Sequence, residues 1–237
     1  MHTTDLSYFS RLAEAETFSR LATVETQRRG TERAETVCAV NDGAEWIQGF
    51  VDVQRHDAVR ILDFSHAAGY VSQVGQAVLG EGTAEFKVWL ATTLHELKHD
   101  SPDKVLQTLR DMQHELEGGA ASAERLDGVR AAVNYLDKRR PQIYARFQAA
   151  GYPIGSGSVE SGNKVMVEAR LKGAGMHWAR PHVNPMVALR GMLCSDRWEQ
   201  DWPQMARRVR EDHVKAHQQR QRARRMSRQA VATASSS

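Results

Sequence analysis

Cysteine is scarce in this sequence, and long apolar runs are absent. The two cysteines, Cys38 and Cys194, lie far apart and form no CxxC pair, which excludes a zinc site built on cysteine and argues against a structural disulfide. No apolar run approaches the roughly 20 residues that a membrane helix needs, and no signal-peptide pattern follows Met1. We therefore expect a cytoplasmic protein with no membrane partner.

The charge of the chain is small but unevenly distributed. The formal net charge is +3. The segment from Gln204 to Arg228 carries nine Lys or Arg residues against Glu211 and Asp212, so that it has a charge of +7 and the chain before it has a charge of −4. A basic arm on a slightly acidic body indicates a polyanionic partner, although a merely solvated helix would show the same composition.

Short β-branched runs alternate with helical patterns in the first 82 residues. Apolar runs at Thr36–Val40 and Val59–Phe64 predict two buried strands, and a weaker strand pattern covers Ser7–Leu12. Helical spacing of apolar residues predicts helices at Ala44–Val53 and Ser65–Leu79. Strands and helices that alternate with short loops predict a parallel α/β core.

The pattern changes after residue 82. Residues 83–150 contain almost no strand signal, and their apolar spacing predicts an all-helical block. A Gly/Ser turn then leads into a predicted helix at Val159–Lys172, which is followed by another at Asn184–Asp196 and by the basic arm. The last residues, Ala230–Ser237, have the composition of a disordered tail.

Acidic residues follow both predicted core strands. Asp42 and Asp63 each lie at a strand end, and the carboxyl ends of adjacent parallel strands face one crevice. Two carboxylates there would repel each other unless a cation lay between them, and hard oxygen ligands suit Mg²⁺. Glu160 begins the helix after the Gly/Ser turn, where a glutamate also simply favours the helix dipole. His66 follows Asp63 by three residues, although a lone histidine is more often a surface or core residue.

Three strings in a fixed order carry a resemblance to a known family. They are VNDGAEWI at residues 40–47, ILDFSH at residues 61–66 and GYPIGSGSVE at residues 151–160, with the helical block between the second and the third. In this order the chain, from about Ser7 to Trp202, resembles the bacterial insertion-sequence transposases of the Kra-type family, relatives of the Mutator-like superfamily.

The resemblance implies an α/β fold with an incomplete RNase H-like core, a large all-helical insertion and a basic helical carboxyl-terminal arm. Residues 1–82 would form the first part of the core around a small mixed sheet, and residues 83–150 would form the helical insertion. Residues 151–203 would supply the closing helices, and residues 204–237 the basic arm and disordered tail.

The resemblance also implies the roles of individual residues. Asp42 matches the second catalytic aspartate of the family, Glu160 matches the closing glutamate, and Asp63 and His66 match an Asp-x-x-His pair. Asp42, Glu160 and His66 would then be catalytic, and Asp42, Asp63 and Glu160 would bind Mg²⁺ or Mn²⁺. By the same resemblance, Lys164, Arg170 and Lys172 would face the DNA backbone. The other residues expected to contact DNA are Trp178 and, from the charge of the basic arm, Arg207, Arg208 and Arg210.

The chain departs from the family at its front. The family's first catalytic aspartate lies on an opening strand that has no match here, and Asp5 precedes the wrong strand. We therefore expect an amino-terminally truncated DDE transposase that is inactive alone and acts with an upstream polypeptide of the same element. Its partners would be duplex DNA, as transposon ends and target, and the resemblance allows a homo-oligomer. A non-catalytic DNA-binding remnant and a related RNase H-like nuclease are the alternatives.

Overall fold

A computed structural model describes residues 4–234 of the chain and the side chains of residues 4–226. Helices dominate the described residues, which contain one pair of hydrogen-bonded strands, β1 (Cys38–Asn41) and β2 (Val59–Leu62). The strands are parallel, with Cys38 opposite Val59 and Asn41 opposite Leu62. The predicted α/β class is confirmed at this level, with a stronger helical dominance than expected, and the sheet is parallel rather than mixed. The RNase H-like core stays a prediction.

The chain divides into two compact units, the first comprising Ala13–Ser161 and the second comprising residues 4–12 and 162–234 among those described. The helices that lie in the first unit or begin there are α1 (Ala15–Arg28), α2 (Glu45–Arg55), α3 (Phe64–Leu79), α4 (Ala84–His99), α5 (Pro102–Gly118), α6 (Ala123–Lys138), α7 (Ala145–Ala149) and α8 (Gly157–Asn163). In the second unit they are a π-helical turn (Lys164–Glu168), α9 (Ala169–Leu171), α10 (Arg180–Cys194) and α11 (Trp198–Ala234).

Side-chain caps begin the central helices of the first unit. Asp63, Thr83 and Ser122 accept hydrogen bonds from the backbone amides of the first turns of α3, α4 and α6. Ser101 does the same for α5, whose first residue is Pro102. A cap accepts from amides that have no partner inside the helix, and proline fits the first helical position because its missing N–H is not needed there. These caps fix the positions at which the four helices begin.

The strands and the helical block share one hydrophobic core. Residues 83–150 contain helices and short turns, with no strand in that interval, so the prediction of an all-helical block is confirmed. Helix α3 packs against α4, α5 and α6, and the core continues from β2 into these helices. The largest fully buried side chains of this core are Tyr144, Ile61, Leu62, Leu97, Leu106, Leu109 and Leu136. The helical block is therefore part of the same packed body as the strands.

The segment 4–12 of the second unit forms no strand, so the predicted strand at Ser7–Leu12 is wrong. Its backbone is held by side chains instead. The Tyr8 amide donates to Ser195 Oγ at 2.9 Å, and Asn184 bridges Leu12, accepting from its amide at 2.8 Å and donating to its carbonyl at 3.0 Å. These bonds take the place of the ladder that a neighbouring strand would supply.

The helix predicted at Val159–Lys172 is confirmed, with a π-helical turn at Lys164–Glu168 inside it. In that turn Met166 is buried, and Arg190 Nη2 donates to the Val165 carbonyl at 2.5 Å. Inserting one extra residue into a helical turn frees a carbonyl, which a side chain then satisfies. The π turn is therefore stabilised by contacts within the second unit.

The basic arm is one long helix, α11. It begins at Trp198, whose ring stacks on that of Trp202 with the ring centroids 5.0 Å apart. The helix is described as far as Ala234, so the predicted disordered tail is wrong for residues 230–234, and residues 235–237 lie outside the described residues. No helix among the described residues has the length and apolar content to cross a membrane.

Candidate functional site at the carboxyl ends of the strands

The two strand ends meet at one edge of the sheet, as their sequence positions predicted. β1 ends at Asn41 and β2 ends at Leu62, and the Asp63 amide donates to the Asn41 carbonyl at 2.8 Å. Asp42 and Asp63 therefore each follow a strand at the same edge. This edge is where ligands bind in open parallel sheets.

Asp63 joins the end of β2 to the Gly/Ser turn. The residue is only 6% exposed. Its Oδ2 accepts from the His66 amide at 3.0 Å and caps α3, and its Oδ1 accepts from the Ser156 amide at 2.6 Å. The Phe64 amide adds a bond to the Ile154 carbonyl at 2.9 Å. Asp63 thus holds the turn that precedes α8 against the strand end.

The charge of Asp63 is stabilised by this environment. Burial alone would raise the pKa of the Asp63 carboxyl, but hydrogen bonds from Ser156 and from the His66 amide outweigh it and hold the pKa below its ordinary value. The neighbouring Tyr144 is fully buried. Burial and, to a smaller extent, the negative charge of Asp63 raise the pKa of the Tyr144 hydroxyl. Asp63 is therefore ionised at neutral pH beside a neutral phenol.

Asp42 is exposed and lies in a tight turn. Its Oδ1 accepts from the Ala44 amide at 2.9 Å, and the Asn41 side chain accepts from the Gly43 amide at 2.8 Å. Gly43 has a φ of 74°, a left-handed conformation that glycine adopts without steric cost. The second carboxylate oxygen of Asp42 accepts no hydrogen bond within the described residues, so it is available to a ligand.

Glu160 lies in the first turn of α8. The Ser156 carbonyl accepts from the amides of Val159 and Glu160, so α8 begins directly after the residue that Asp63 binds. The Glu160 side chain is exposed and makes no hydrogen bond or ion pair within the described part of the chain. Asp63 therefore links the strand end beside Asp42 to the start of the helix that carries Glu160.

His66 is exposed at one end of an aromatic column, which consists of the rings of His66, Tyr70 and Tyr135 and the guanidinium of Arg139. Its ring centroid lies 5.6 Å from that of Tyr70 and 6.0 Å from that of Tyr135. Tyr70 and Tyr135 stack with their centroids 4.0 Å apart, and the Arg139 guanidinium lies 3.7 Å from the Tyr135 centroid. Such stacks of rings and a cation are mutually attractive.

The oxygen-rich edge fits a hard divalent cation in the chemistry of its donors. Within residues 4–226 no group of three or more His, Cys, Asp or Glu side chains is placed to hold a metal ion. Mg²⁺ keeps most of its waters and is often held by one or two carboxylates, so fewer than three protein ligands are compatible with this ion. Asp42 and Glu160 have oxygens available, whereas Asp63 already uses both of its own. The assignment of Asp42, Asp63 and Glu160 to Mg²⁺ or Mn²⁺ stays a prediction.

The residues expected to contact DNA belong to the second unit. Lys164, Arg170 and Lys172 are exposed, and Lys172 pairs with Glu168 at 3.3 Å. Trp178 is half-buried, and its indole Nε1 is shielded from solvent without a hydrogen-bond partner among the described residues. The remaining three, Arg207, Arg208 and Arg210, are exposed on α11.

Sequence reasoning missed the contacts that α6 and the Gly/Ser turn make with the strand ends. The Tyr135 hydroxyl donates to the Asp42 carbonyl, Arg139 donates to the Gly43 carbonyl, and Ser156 binds Asp63. These partners are separated by 93 to 96 residues along the chain. No local pattern encodes contacts at that separation.

Comparison of the chain with known protein families, with curated proteins and with solved structures finds no match.

Proposed function

We propose that this chain is part of a DDE-type DNA transposase that binds duplex DNA, with Asp42 and Glu160 as ligands of Mg²⁺ or Mn²⁺. The observation that carries the proposal is a bridge made by Asp63, which directly follows β2. Its amide donates to Asn41, the last residue of β1, and its carboxylate accepts from the amide of Ser156, the residue directly before α8. The bridge ties the turn of Asp42 and the helix of Glu160 to one sheet edge. The same two residues, Asp42 and Glu160, lie in the first and third of the strings that resemble the transposase family.

The residues at this edge have separable roles in the proposal. Asp42 and Glu160 present carboxylate oxygens to the cation, and Asp63 holds the backbone segments of both residues at the same edge of the sheet. His66, at the end of the aromatic column, presents an imidazole at the same edge. When bound, divalent cations stabilise the charge that develops on the attacking and leaving oxygens of a phosphodiester.

The partner in the proposal is duplex DNA, bound through its phosphates. Helix α11 has 37 residues and would extend for about 55 Å at the rise of an α-helix. Its described basic residues are exposed, including Arg207, Arg208 and Arg210. Exposed arginines along a helix suit a phosphate backbone, because arginine binds phosphate oxygens in a bidentate geometry.

Metal binding tests the first half of the proposal. Titration of the full chain with Mn²⁺, followed by electron paramagnetic resonance, should give a binding isotherm that Asp42→Asn and Glu160→Gln each weaken about tenfold or more, because each removes one of two anionic ligands. Asp127→Asn is the matched control, since Asp127 is an exposed aspartate on α6 with a side chain that is 75% exposed. Equal Mn²⁺ affinity in all four proteins would reject the site and leave a DNA-binding protein without a cation centre.

Salt dependence tests the second half. Fluorescence anisotropy with a labelled duplex should show that affinity falls as salt rises. The logarithm of the binding constant plotted against the logarithm of the salt concentration should have a slope of about −0.9 per phosphate contact. Replacing Arg207, Arg208 and Arg210 together by Gln should make the slope shallower by roughly two to three, because each arginine neutralises one phosphate. Truncation after Trp202 should flatten it further.

The control for charge removal is a triple variant in the first unit, in which three arginines of ion pairs, exposed or half-buried, are replaced by Gln: Arg110, Arg130 and Arg140. It removes the same charge but should leave the salt slope unchanged. An unchanged slope in the α11 variants would assign DNA binding elsewhere, first to Lys164, Arg170 and Lys172.

A further inference from the structure

Helix α6 of the helical block reaches the turn that carries Asp42. The Tyr135 hydroxyl donates to the Asp42 carbonyl. Arg139 donates from Nε and Nη2 to the Gly43 carbonyl, at 3.1 and 2.5 Å, and from Nη1 to the Tyr135 carbonyl at 3.2 Å. Two consecutive peptide carbonyls next to the Asp42 side chain are therefore held by Tyr135 on α6 and by Arg139, the residue directly after α6.

The part of the contact that joins Arg139 to Gly43 is close and shielded from solvent. Arg139 is only 9% exposed, and Gly43 is buried beneath it. A Cβ at position 43 would overlap the Nε and Cδ atoms of Arg139. The left-handed conformation at Gly43 and the guanidinium above it thus fit each other. A buried guanidinium that donates to a carbonyl with two of its nitrogens defines the orientation of that peptide plane.

The aromatic column stabilises the Tyr135 end of this contact. Tyr70 stacks on one face of Tyr135, the Arg139 guanidinium lies over its ring, and His66 packs beside both tyrosines. A tyrosine hydroxyl keeps its proton at neutral pH, so Tyr135 can donate to the Asp42 carbonyl. The position of the Tyr135 ring is therefore restricted by Tyr70 and His66 on α3 and by Arg139, which directly follows α6.

We propose that Tyr135 and Arg139 are positioning residues that orient the Asp42 carboxylate through its own backbone, so that the helical block sets the cation affinity at the strand edge. Neither side chain touches the cation in this proposal. The inference rests on the proposed function, since it presumes that Asp42 binds a divalent cation. It assigns the helical block a role in the site besides packing.

The size of the expected effect follows from how metal sites behave. Removing a group that orients a metal ligand typically costs 10- to 100-fold in metal affinity. Tyr135→Phe removes one hydrogen bond and no ring, and Arg139→Lys keeps the charge but loses the two-nitrogen donor. Both variants should therefore weaken Mn²⁺ binding to the full chain about tenfold or more.

The experiment is the Mn²⁺ titration of the full chain, combined with thermal unfolding followed by circular dichroism. Arg140→Lys is the matched control for Arg139→Lys, since Arg140 is the next residue, is exposed and pairs with Asp103. Tyr152→Phe, which removes a hydroxyl at the edge of the same core, is the control for Tyr135→Phe. Both controls should leave the Mn²⁺ affinity unchanged.

The outcomes separate the inference from the function on which it rests. If Asp42→Asn weakens Mn²⁺ binding while folded Tyr135→Phe and Arg139→Lys bind as tightly as the unmodified chain, the positioning role is rejected and the contact only stabilises the fold. If Asp42→Asn has no effect, the cation site itself is wrong. Should Arg139→Lys fail to fold at the assay temperature, Tyr135→Phe alone decides, since it deletes a single hydroxyl and leaves the ring stack in place.

Discussion

At the Asp42 turn, the conformation of a single glycine and the position of one arginine depend on each other. Gly43 has a φ of 74°, and a Cβ there would overlap Arg139. We expect Gly43→Ala to lower the free energy of unfolding by at least about 1 kcal/mol, because a residue with a Cβ loses roughly that much in a left-handed conformation. The Arg139 guanidinium would also have to move to make room for the Cβ. Urea denaturation measures the change.

Gly49→Ala is the matched control on the neighbouring helix α2. Gly49 is exposed, and a Cβ there would meet nothing within 4 Å. Alanine is favoured over glycine inside a helix by about 1 kcal/mol, so this variant should be as stable as the unmodified chain or more stable. Equal destabilisation by the two variants would contradict the close fit at Gly43.

The buried carboxylate of Asp63 predicts a dependence of stability on pH. Asp63→Asn should lower the free energy of unfolding by about 1–3 kcal/mol at pH 7, because two backbone amides lose a charged acceptor. An aspartate in an unfolded chain has a pKa of about 3.9, and hydrogen bonds hold the folded pKa of Asp63 below its ordinary value. The stabilisation is therefore complete above the unfolded pKa and is lost as pH falls through the folded pKa.

Urea denaturation of the unmodified chain and of Asp63→Asn from pH 7 to pH 2 measures this dependence. The difference between the two should shrink at the acid end. Asp127→Asn, at an exposed position, controls for the removal of one charge. A difference that stayed constant down to pH 2 would show that the charge of Asp63 contributes nothing to its bonds with Ser156 and His66.

Single residues at strand ends were predictable, whereas their partners were not. An Asn-Asp-Gly cluster after a β-branched run predicted the turn at Asp42, and the apolar run at residues 59–62 predicted the position of Asp63. The double role of Asp63 depends on Ser156, which is 93 residues away. Hydrogen bonds over such a separation are set by packing, and no local propensity carries that information.

At the scale of elements, apolar periodicity predicted most helices and both core strands, because one buried face gives each element a period that the sequence shows. The strand expected at Ser7–Leu12 failed for a physical reason. A strand needs a neighbour to satisfy its backbone, and here Ser195 and the side-chain amide of Asn184 take that part. Apolar content alone does not reveal which kind of partner a segment finds.

The close approach of α3 and α4 depends on a glycine in the middle of a helix. A Cβ on Gly75 would overlap the ring of Trp89 and lie 3.0 Å from the Phe86 ring. Gly75→Ala should therefore destabilise the protein by about 1–3 kcal/mol, the usual cost of overpacking a core, despite the higher helix propensity of alanine. The midpoint of urea unfolding measures this change.

Gly69 lies on the same helix and is exposed, and a Cβ at this position would meet nothing within 4 Å. Gly69→Ala should raise stability by up to about 1 kcal/mol through helix propensity alone. Opposite signs for the two substitutions would support the contact of α3 with Trp89. Stabilisation by both would mean that α4 can shift at little cost.

At the scale of the whole molecule, the sequence predicted a helical block at residues 83–150 but not its packing. The block shares one hydrophobic core with β2 and α3, and through α6 it contacts the Asp42 turn. The periodicity of a helix shows that one face is buried but not what it is buried against. For this reason the link between the helical block and the candidate site emerged only from the structure.

The last prediction concerns the activity of the 237-residue chain on DNA. We expect it neither to nick nor to join duplex DNA with Mg²⁺ or Mn²⁺. Phosphoryl transfer depends on positioned cations and an aligned nucleophile, and a misplacement of about 1 Å can cost on the order of a hundredfold. The family resemblance assigns only two of the family's three catalytic carboxylates here, to Asp42 and Glu160, and both oxygens of Asp63 already accept backbone hydrogen bonds.

Conversion of supercoiled plasmid to the nicked circle measures this activity, with Asp42→Asn and Glu160→Gln run beside the unmodified chain. All three proteins should give the same background, since no residue of the unmodified chain is assigned to the family's first catalytic aspartate. Metal-dependent nicking that disappears in both variants would contradict the prediction and would mean that another carboxylate of the chain completes the site. Asp63 would then be the first residue to replace and Asp5 the second, because Asp63 already lies at the sheet edge with Asp42.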